Sequence, residues 1–235
     1  MHPETEKGLI TSVPIPLALI AACNEDRVIG YRQKIPWRSA KDFRFFRAMT
    51  EGSICWMGKN TFLSLPKLLP NRFHVVFSRT PKELWLADWV GRYSVEKGEG
   101  PLKVAKDEIE SHVTVVDGLA QAIRVTQKKA QEVPGFSSDI VYCIGGAELY
   151  RQFLAFSRWI VLTRIKTGPI AGDAFFPDFS GHAQWNLLMQ HYDFDEQSKL
   201  SLEFNLYYNK ELTTSQDSQS ILNRFQKALG FEVLA

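Results

Sequence analysis

Twelve residues carry the most information in this chain: Ile35-Pro36-Trp37-Arg38-Ser39-Ala40-Lys41-Asp42-Phe43-Arg44-Phe45-Phe46. They place one carboxylate in an otherwise apolar and aromatic helical face. If the segment is a helix, Asp42, Phe43 and Phe46 share a side of it. A carboxylate there is costly unless something pairs with it, so the pattern fits an acid that binds a ligand. The alternative is an aspartate in the first helical turn that faces solvent.

Length and composition limit what this site belongs to. The chain has 235 residues, 45% of them hydrophobic and 23% charged, which is typical of a globular protein with one large core. Its net charge of +2 and pI near 8.4 give no broad basic face, so no nucleic-acid partner is predicted.

The cysteines and the apolar runs indicate a cytoplasmic protein. Cys23, Cys55 and Cys143 each lie in an apolar run, which favours buried, reduced thiols over metal ligands or disulfides. The longest apolar run, Pro16 to Cys23, is too short to span a bilayer, so no membrane partner is predicted. We interpret residues 1–16 as a loose arm. Acidic residues and prolines come before the first apolar run, and this order is not that of a secretory signal.

The order of apolar runs predicts an α/β fold. Short continuous runs are typical of strands buried on both faces, and helix-like stretches lie between them. Predicted strands are Leu17 to Cys23, Ile54 to Met57, Phe73 to Phe77, Val113 to Val116 and Ile140 to Ile144, with helices at Ala40 to Met49, Gly118 to Gln131 and Ala147 to Phe156. The last runs, Ile160 to Lys166 and Leu200 to Tyr208, alternate more and predict an antiparallel edge.

Two strand ends carry residues suited to anions. Gly145 and Gly146 stand between a strand and a helix start, where glycine lets a diphosphate approach the backbone, although a plain tight turn explains most such pairs. Lys59 and Arg79 follow two other strands and would suit a phosphate monoester, or be ordinary surface cations.

The ordered series of motifs resembles the dihydrofolate reductase family from about Leu17 to about Leu212. The resemblance rests on Ile20-Ala21-Ala22, Asp26 to Gly30, Pro36-Trp37, Asp42 to Phe46, Met57 to Thr61, Leu69 to Arg72, Ser78-Arg79, Ile144 to Ala147, Leu162-Thr163 and Gly172 to Pro177. It implies a dihydrofolate-reductase-like twisted, mostly parallel sheet flanked by helices, with an antiparallel C-terminal edge. It also implies NADPH-dependent reduction of 7,8-dihydrofolate to tetrahydrofolate, and binding of antifolate-type inhibitors.

The resemblance gives the opening acid its partner. Asp42 matches the carboxylate that accepts two hydrogen bonds from the pterin, at N3–H and the 2-amino group. Trp37 matches the tryptophan that fixes an ordered water there, unless it only packs in the core, and Thr163 the threonine that hydrogen-bonds to the acid. Arg72 matches the arginine that binds the glutamate-tail carboxylate of the substrate. Matches to the remaining substrate contacts are Ile20, Ala22, Ile35, Phe43, Phe46, Leu65, Leu69, Ile144 and Tyr150.

The resemblance also predicts an NADPH pocket. Gly145 and Gly146 match a glycine pair joined by a cis peptide beneath the diphosphate, and Lys59 and Arg79 match the cations that face the 2′-phosphate. Matches to the remaining cofactor contacts are Ala22, Ile29, Gly30, Gly58, Asn60, Thr61, Ser78, Ile144, Ala147, Glu148 and Tyr150.

Several residues depart from the family pattern. The loop before Pro36 lacks the usual glycine, Ser39-Ala40 replaces Leu-Pro after Trp37, and Ala174 replaces a threonine. Residues 82–112 form an insertion, expected to add a helix and a loop on the adenosine side.

Two other functions remain open from the residues alone. One is a riboflavin-pathway pyrimidine reductase of the same fold, which generally lacks the Pro-Trp and buried aspartate present here. The other is a non-catalytic ligand- or RNA-binding relic, in which an eroded site is expected.

The C-terminus beyond the resemblance predicts an added helix. Residues 213–220 are interpreted as a flexible polar spacer. After them, apolar residues recur at spacings of three and four, which predicts a helix that ends at Gly230. We expect this short amphipathic helix to dock on its own domain, residues 17–212, or on a second copy in a homodimer, in preference to a membrane.

Overall fold

The computed structural model describes residues 14–97, 109, 111–132 and 136–231. Ten strands and six α-helices are defined below within those ranges. The strands are β1 (Leu17–Cys23), β2 (Val28–Gly30), β3 (Ser53–Gly58), β4 (Phe73–Phe77), β5 (Val113–Val116), β6 (Ser137–Cys143), β7 (Trp159–Lys166), β8 (Ala174–Phe175), β9 (Trp185–Asp195) and β10 (Leu200–Asn209). The helices are α1 (Ala40–Thr50), α2 (Lys59–Ser64), α3 (Leu86–Lys97), α4 (Leu119–Glu132), α5 (Ala147–Phe153) and α6 (Gln219–Ala228), with 3₁₀ turns at Lys82–Leu84 and Leu154–Phe156.

Eight strands form one sheet in the order β5-β4-β3-β6-β1-β7-β10-β9. All pairs from β5 to β7 are parallel, and β10 and β9 are antiparallel to their neighbours. This confirms the predicted fold class. The predicted pattern missed two features: the long edge strand β9, whose residues between its two buried ends are partly or fully exposed, and the short pair β2–β8.

The core lies on both faces of the sheet. On one face, α1, α2, α3 and α6 cover an apolar cluster that includes Phe45, Phe62 and Phe225. On the other face, α4 and α5 cover a cluster that includes Trp56 and Phe153. Strands buried on both sides have continuous apolar sequences for this reason.

Both segments outside the family pattern pack on this core. The insertion contributes α3, whose Trp89 is 2% exposed, and the predicted C-terminal helix is present as α6 with Phe225 fully buried. The prediction of a flexible spacer is wrong for residues 213–218, because Ser218 is buried and its hydroxyl accepts a 2.7 Å hydrogen bond from the Trp159 indole. Of the predicted N-terminal arm, residues 1–13 lie outside the described residues, and Ile15 is buried.

Candidate active site

Asp42 lies in the first turn of α1, and Ser39 begins that helix. The Ser39 Oγ accepts a 3.2 Å hydrogen bond from the Asp42 backbone N–H, and the hydroxyl donates to the buried Asp195 at 2.7 Å. That hydroxyl holds the pKa of Asp195 well below its ordinary value. The carboxylate at the end of β9 thereby fixes the start of the helix that carries Asp42.

The Asp42 side chain is partly exposed and faces the sheet. It hydrogen-bonds to Thr163 of β7, and Thr163 pairs with Ala22 of β1 in the ladder. Burial raises the pKa of Asp42 to about 6, and the hydrogen bond from Thr163 opposes part of that rise. Asp42 thus lies in the first helical turn, and burial of its carboxyl group is unlike the solvent-facing alternative, while ligand binding by Asp42 stays a prediction.

Trp37 precedes α1 and is partly buried. Its indole Nε1 is enclosed and has no hydrogen-bond partner among the described residues. A buried donor is costly unless it bonds to water or a ligand. The Trp37 indole N–H is therefore available to bond to a water molecule or a ligand in the segment that leads to Asp42.

The residues of the predicted apolar walls are buried to different degrees. Ile35 and Phe43 are half exposed, at 50% and 49%, which is unusual for large apolar side chains and leaves surface for a ligand ring. Ile20 is buried at the sheet, while the others are partly buried. These partly buried members are Ala22, Phe46, Leu65, Leu69 and Ile144.

Arg72 is enclosed to a degree that the sequence did not indicate. The side chain is 2% exposed, and its guanidinium donates to the Thr50 hydroxyl and to the carbonyls of Arg47 and Pro70. These bonds tie the end of α1 to the loop before β4. A role in binding a ligand carboxylate remains a prediction, and it would use the N–H that these contacts leave over.

A buried histidine supports the same loop. His74 Nε2 accepts a 3.1 Å hydrogen bond from the Leu69 backbone N–H, and Nδ1 lies 3.2 Å from the His112 carbonyl oxygen. Burial lowers the pKa of His74 to about 4, so the ring is neutral near pH 7. Its two bonds connect the end of the insertion to Leu69.

The glycine pair lies where β6 ends and α5 begins. A cis peptide joins Gly145 to Gly146, and the Gly145 carbonyl accepts a 2.8 Å hydrogen bond from the Gly58 N–H. A Cβ atom on Gly145 would lie 2.9 Å from the Tyr150 ring. The buried Tyr150 hydroxyl donates to the Ile20 carbonyl at 2.7 Å, so this ring joins the glycine pair to the central strand.

The neighbouring residues of the predicted cofactor pocket lie along the same edge of the sheet. Ala147 and Glu148 open α5, and Asn60 and Thr61 lie in α2 directly after β3. Thr61 Oγ1 would be 3.3 Å from a Cβ on Gly146. Neighbouring side chains therefore crowd the Cβ position of both glycines, so the close packing between α2 and α5 requires glycine at these two positions.

The two predicted cations lie at neighbouring strand ends. Gly58 of β3 pairs with Phe77 of β4, so Lys59 and Ser78 follow at the same edge. Lys59 Nζ lies 3.3 Å from Thr80 Oγ1, and the Ser78 hydroxyl donates to the Thr80 carbonyl at 2.7 Å. Arg79 is exposed beside them.

Ile29 and Gly30 lie in β2, beside the loop that precedes Pro36. The Gly30 carbonyl accepts from the Asp173 N–H at 3.0 Å, and the Asp173 carboxylate accepts from the Arg32 N–H at 2.8 Å. Arg32 and Gln33 have φ values of 50° and 62°, in the left-handed region where glycine or asparagine is usual. The turn therefore forms without the usual glycine, and Arg32 and Gln33 adopt strained backbone conformations in it.

Some residues that support the site were not predicted to do so. Ser39 and Asp42 form the Ser-x-x-Asp pattern that is typical of a helix start, and that pattern could have identified the cap. The insertion residues Trp85 and Trp89 donate indole hydrogen bonds to the carbonyls of Thr80 and Leu65, both at 3.2 Å. No local signal in the sequence indicates these two partners.

A cavity on the other face of the sheet is separate from this site. It has a volume of about 180 Å³ and is lined by residues that include Leu162, Arg164 and Trp185. Leu162 and Arg164 flank Thr163 in β7, so their side chains point away from Asp42.

Comparison of the structure with solved proteins defines the class of the fold. The chain is similar to a dihydrofolate reductase from Enterococcus faecalis, solved in complex with NADP(H) and RAB-propyl, with a TM-score of 0.62 and 20% sequence identity. The match covers 83% of this chain and 96% of that one. The class is therefore the dihydrofolate-reductase-like α/β fold.

Sequence comparison narrows the class to a family. The family model for dihydrofolate reductase matches residues 16–118 and 102–209. The type 9 dihydrofolate reductase of Escherichia coli is 28% identical over 82% of this chain and 93% of its own length. The dihydrofolate reductase of Haemophilus influenzae is 29% identical over 82% of this chain and 98% of its own length. The chain belongs to the dihydrofolate reductase family.

No helix among the described residues is long and apolar enough to cross a membrane.

Proposed function

We propose that this chain catalyses the NADPH-dependent reduction of 7,8-dihydrofolate to 5,6,7,8-tetrahydrofolate, with Asp42 as the acid that holds the pterin. The observation that carries the proposal is the Asp42–Thr163 pair, together with the half-exposed Ile35 and Phe43, in a chain of the dihydrofolate reductase family. Neither the pyrimidine reductase nor the non-catalytic relic has a comparable observation in its favour.

The carboxylate of Asp42 suits a ring that presents two adjacent donors. The pterin N3–H and 2-amino groups would each donate to one oxygen of the carboxylate, a bidentate arrangement. Thr163 fixes the orientation of that carboxylate through its hydrogen bond. Phe46, Leu65 and Leu69 enclose the rest of the molecule, while Ile35 and Phe43 become covered when it binds.

The reaction requires a hydride and a proton. NADPH supplies the hydride from its nicotinamide C4 to the pterin C6. The proton goes to N5, which lies on the ring away from the groups that Asp42 binds, so a water carries it. The unpartnered indole N–H of Trp37 is a suitable donor to hold that water. The raised pKa of Asp42, about 6, favours proton uptake by the bound pair near neutral pH.

The cofactor pocket is supported by the glycine pair and by cations. Tyr150 and Thr61 pack against Gly145 and Gly146 where Cβ atoms would lie, and the backbone of this pair, beside Gly58, would bind the diphosphate. Lys59 and Arg79 face the 2′-phosphate of the adenosine ribose. Ile29, Gly30 and Tyr150 contact the nicotinamide side.

The experiment is a direct optical assay of the purified full chain. NADPH oxidation is followed with dihydrofolate as substrate, with a riboflavin-pathway pyrimidine as the control substrate. We expect turnover with dihydrofolate and no turnover with the pyrimidine. Turnover only with the pyrimidine, or with neither, would refute the proposal.

The C-terminal helix serves the chain's own domain in this proposal, and the homodimer alternative is not favoured. Ile221 and Phe225, its most apolar residues, are already buried in the same core as Phe45. Light scattering should return the monomer mass of 26.8 kDa. A dimer that dissociates when residues 213–235 are removed would contradict this.

The buried free cysteines Cys23, Cys55 and Cys143 support a reducing, cytoplasmic location.

A further inference from the structure

Helix α6 lies outside the residues that the family model matches, yet it packs directly behind the helix that carries Asp42. The match ends at residue 209, and α6 begins at Gln219. Its buried residues, Ile221 and Phe225, enter the core cluster that contains Phe45 and Met49 of α1. The added helix therefore contacts the helix that carries Asp42 through Phe45 and Met49, which lie three and seven positions after Asp42.

Arg224 caps the C-terminal end of α1. Its Nη1 donates to the Met49 carbonyl at 2.9 Å, to the Glu51 carbonyl at 3.4 Å and to the Ser53 hydroxyl at 2.7 Å. The last carbonyls of a helix have no partner within it, and a cation there is favourable. Ser53 begins β3, so one guanidinium joins the end of α1, the turn after it and the central sheet.

Phe225 completes an aromatic row behind the Asp42–Thr163 pair. Its ring meets Phe45 edge to face at 5.3 Å, and Phe45 lies 4.5 Å from Phe204. Phe204 is the partner of Thr163 in the β7–β10 ladder, so the two side chains share a face of the sheet. Displacement of Phe225 would change the distance between α1 and the strand that carries Thr163.

We propose that α6 is a positioning element of the active site, in which Arg224 and Phe225 hold α1 so that the Asp42 carboxylate stays on the Thr163 hydroxyl. This inference rests on the proposed function for its kinetic consequence. Arg224 and Phe225 touch neither substrate nor cofactor. They act through α1.

The kinetic test uses the full chain with Arg224→Met, and Lys227→Met as the matched control. Lys227 is an exposed cation on the same helix, so its loss removes the same charge without the cap. For Arg224→Met we expect KM for dihydrofolate to rise and kcat to fall, each on the order of 3- to 10-fold, with KM for NADPH within about twofold. Arg224→Lys should recover part of the loss, because an ammonium group reaches fewer of the three acceptors.

A second measurement is independent of turnover. The carbon-13 signal of the Asp42 carboxyl, followed by NMR across pH in the free protein, reports the pKa of that group. In Arg224→Met it should titrate at higher pH than in the wild type, since the hydrogen bond from Thr163 that lowers its pKa is weakened. Phe225→Leu, which keeps most of the buried volume, should shift the titration in the same direction.

The results separate positioning from simple stabilisation. If both variants lower the melting temperature but leave KM for dihydrofolate, kcat and the Asp42 titration unchanged, α6 only stabilises the fold and the inference is wrong. An equal rise of KM for NADPH and dihydrofolate also overturns it. If the wild type does not reduce dihydrofolate, the proposed function fails, while the Asp42 titration still decides the positioning role.

Discussion

The proposed substrate side and the proposed cofactor side of the site pair their polar groups in different ways. On the proposed substrate side, Asp42, Arg72 and His74 each have specific partners; Arg72 and His74 are buried and Asp42 is partly buried. On the proposed cofactor side, Arg79 is exposed, Lys59 is partly exposed, and the other expected contacts are backbone groups of Gly145 and Gly146.

This difference predicts how strongly substitutions on each side should affect ligand binding. A buried carboxylate surrounded by apolar groups has no substitute, so its loss removes the whole polar interaction with the ligand. Exposed cations and backbone groups share their task, and each contributes less. Substitutions on the substrate side should therefore have larger and more specific effects.

Asp42→Asn should have the largest effect. The amide cannot hold a protonated pterin, so turnover with dihydrofolate at pH 7 should fall by about 100- to 10,000-fold. Turnover at acidic pH should fall less, because the substrate is then protonated in solution. The measurement is kcat/KM from pH 5 to 8, with circular dichroism to verify the fold. A variant as active as the wild type at pH 7 would remove Asp42 from the mechanism.

The double substitution Lys59→Ala with Arg79→Ala tests the cofactor side. Loss of two charge-assisted contacts to the 2′-phosphate should raise KM for NADPH by about 10- to 100-fold and leave KM for NADH nearly unchanged. Lys210→Ala is the control, since Lys210 is exposed after β10 at the opposite end of the sheet. Equal weakening of both cofactors would show that the pair does not recognise the phosphate.

The same division explains what the sequence could and could not predict. The strands β1, β4 and β5 have the bounds that their apolar runs predicted, because burial on both faces leaves a continuous signal. Strand β9 was missed because one face is exposed and its alternation is interrupted by polar residues. Asp42, the glycine pair and the two cations could be proposed as ligand-binding residues from local pattern, but their individual roles and the other site residues came only from the ordered motifs.

The connections between distant segments could not be predicted. Asp195 lies 156 positions from Ser39, and Arg224 lies 175 positions from Met49, so no local pattern links them. Arg72 shows the same limit, because its residue type suited a ligand carboxylate while its enclosure depends on Thr50, Arg47 and Pro70. Long-range packing decides such contacts.

A pH-dependent stability difference would sharpen the contrast between the two sides. Burial raises the pKa of Asp42 from its ordinary 3.8 to about 6, so the folded protein is stabilised by the neutral form. That stabilisation is fully present below about pH 4 and is lost as the pH rises through about 6. Asp42→Asn stays neutral, and its free energy of unfolding should exceed that of the wild type by about 1 to 2 kcal/mol at pH 8, after allowance for partial exposure.

Denaturant melts of both proteins without ligand at pH 4 and pH 8 measure this difference. The gap should nearly close at pH 4. The Lys59 and Arg79 double variant is the comparison from the cofactor side, and its stability relative to the wild type should not change between the two pH values. A constant gap for Asp42→Asn would mean that the carboxylate is well solvated in the free protein.

The smallest expected effects come from two tryptophans of the insertion, which reach the two sides separately. Trp85 donates its indole N–H to Thr80 beside Lys59, and Trp89 donates to Leu65 on the substrate side. Replacement by phenylalanine keeps an aromatic ring and removes the donor, at a cost of about 1 kcal/mol, or roughly fivefold in an affinity. Trp85→Phe should therefore raise KM for NADPH, and Trp89→Phe should raise KM for dihydrofolate. Each variant is the control for the other. If both variants change the same constant, the insertion supports the cleft as a whole and the two sides are not independent.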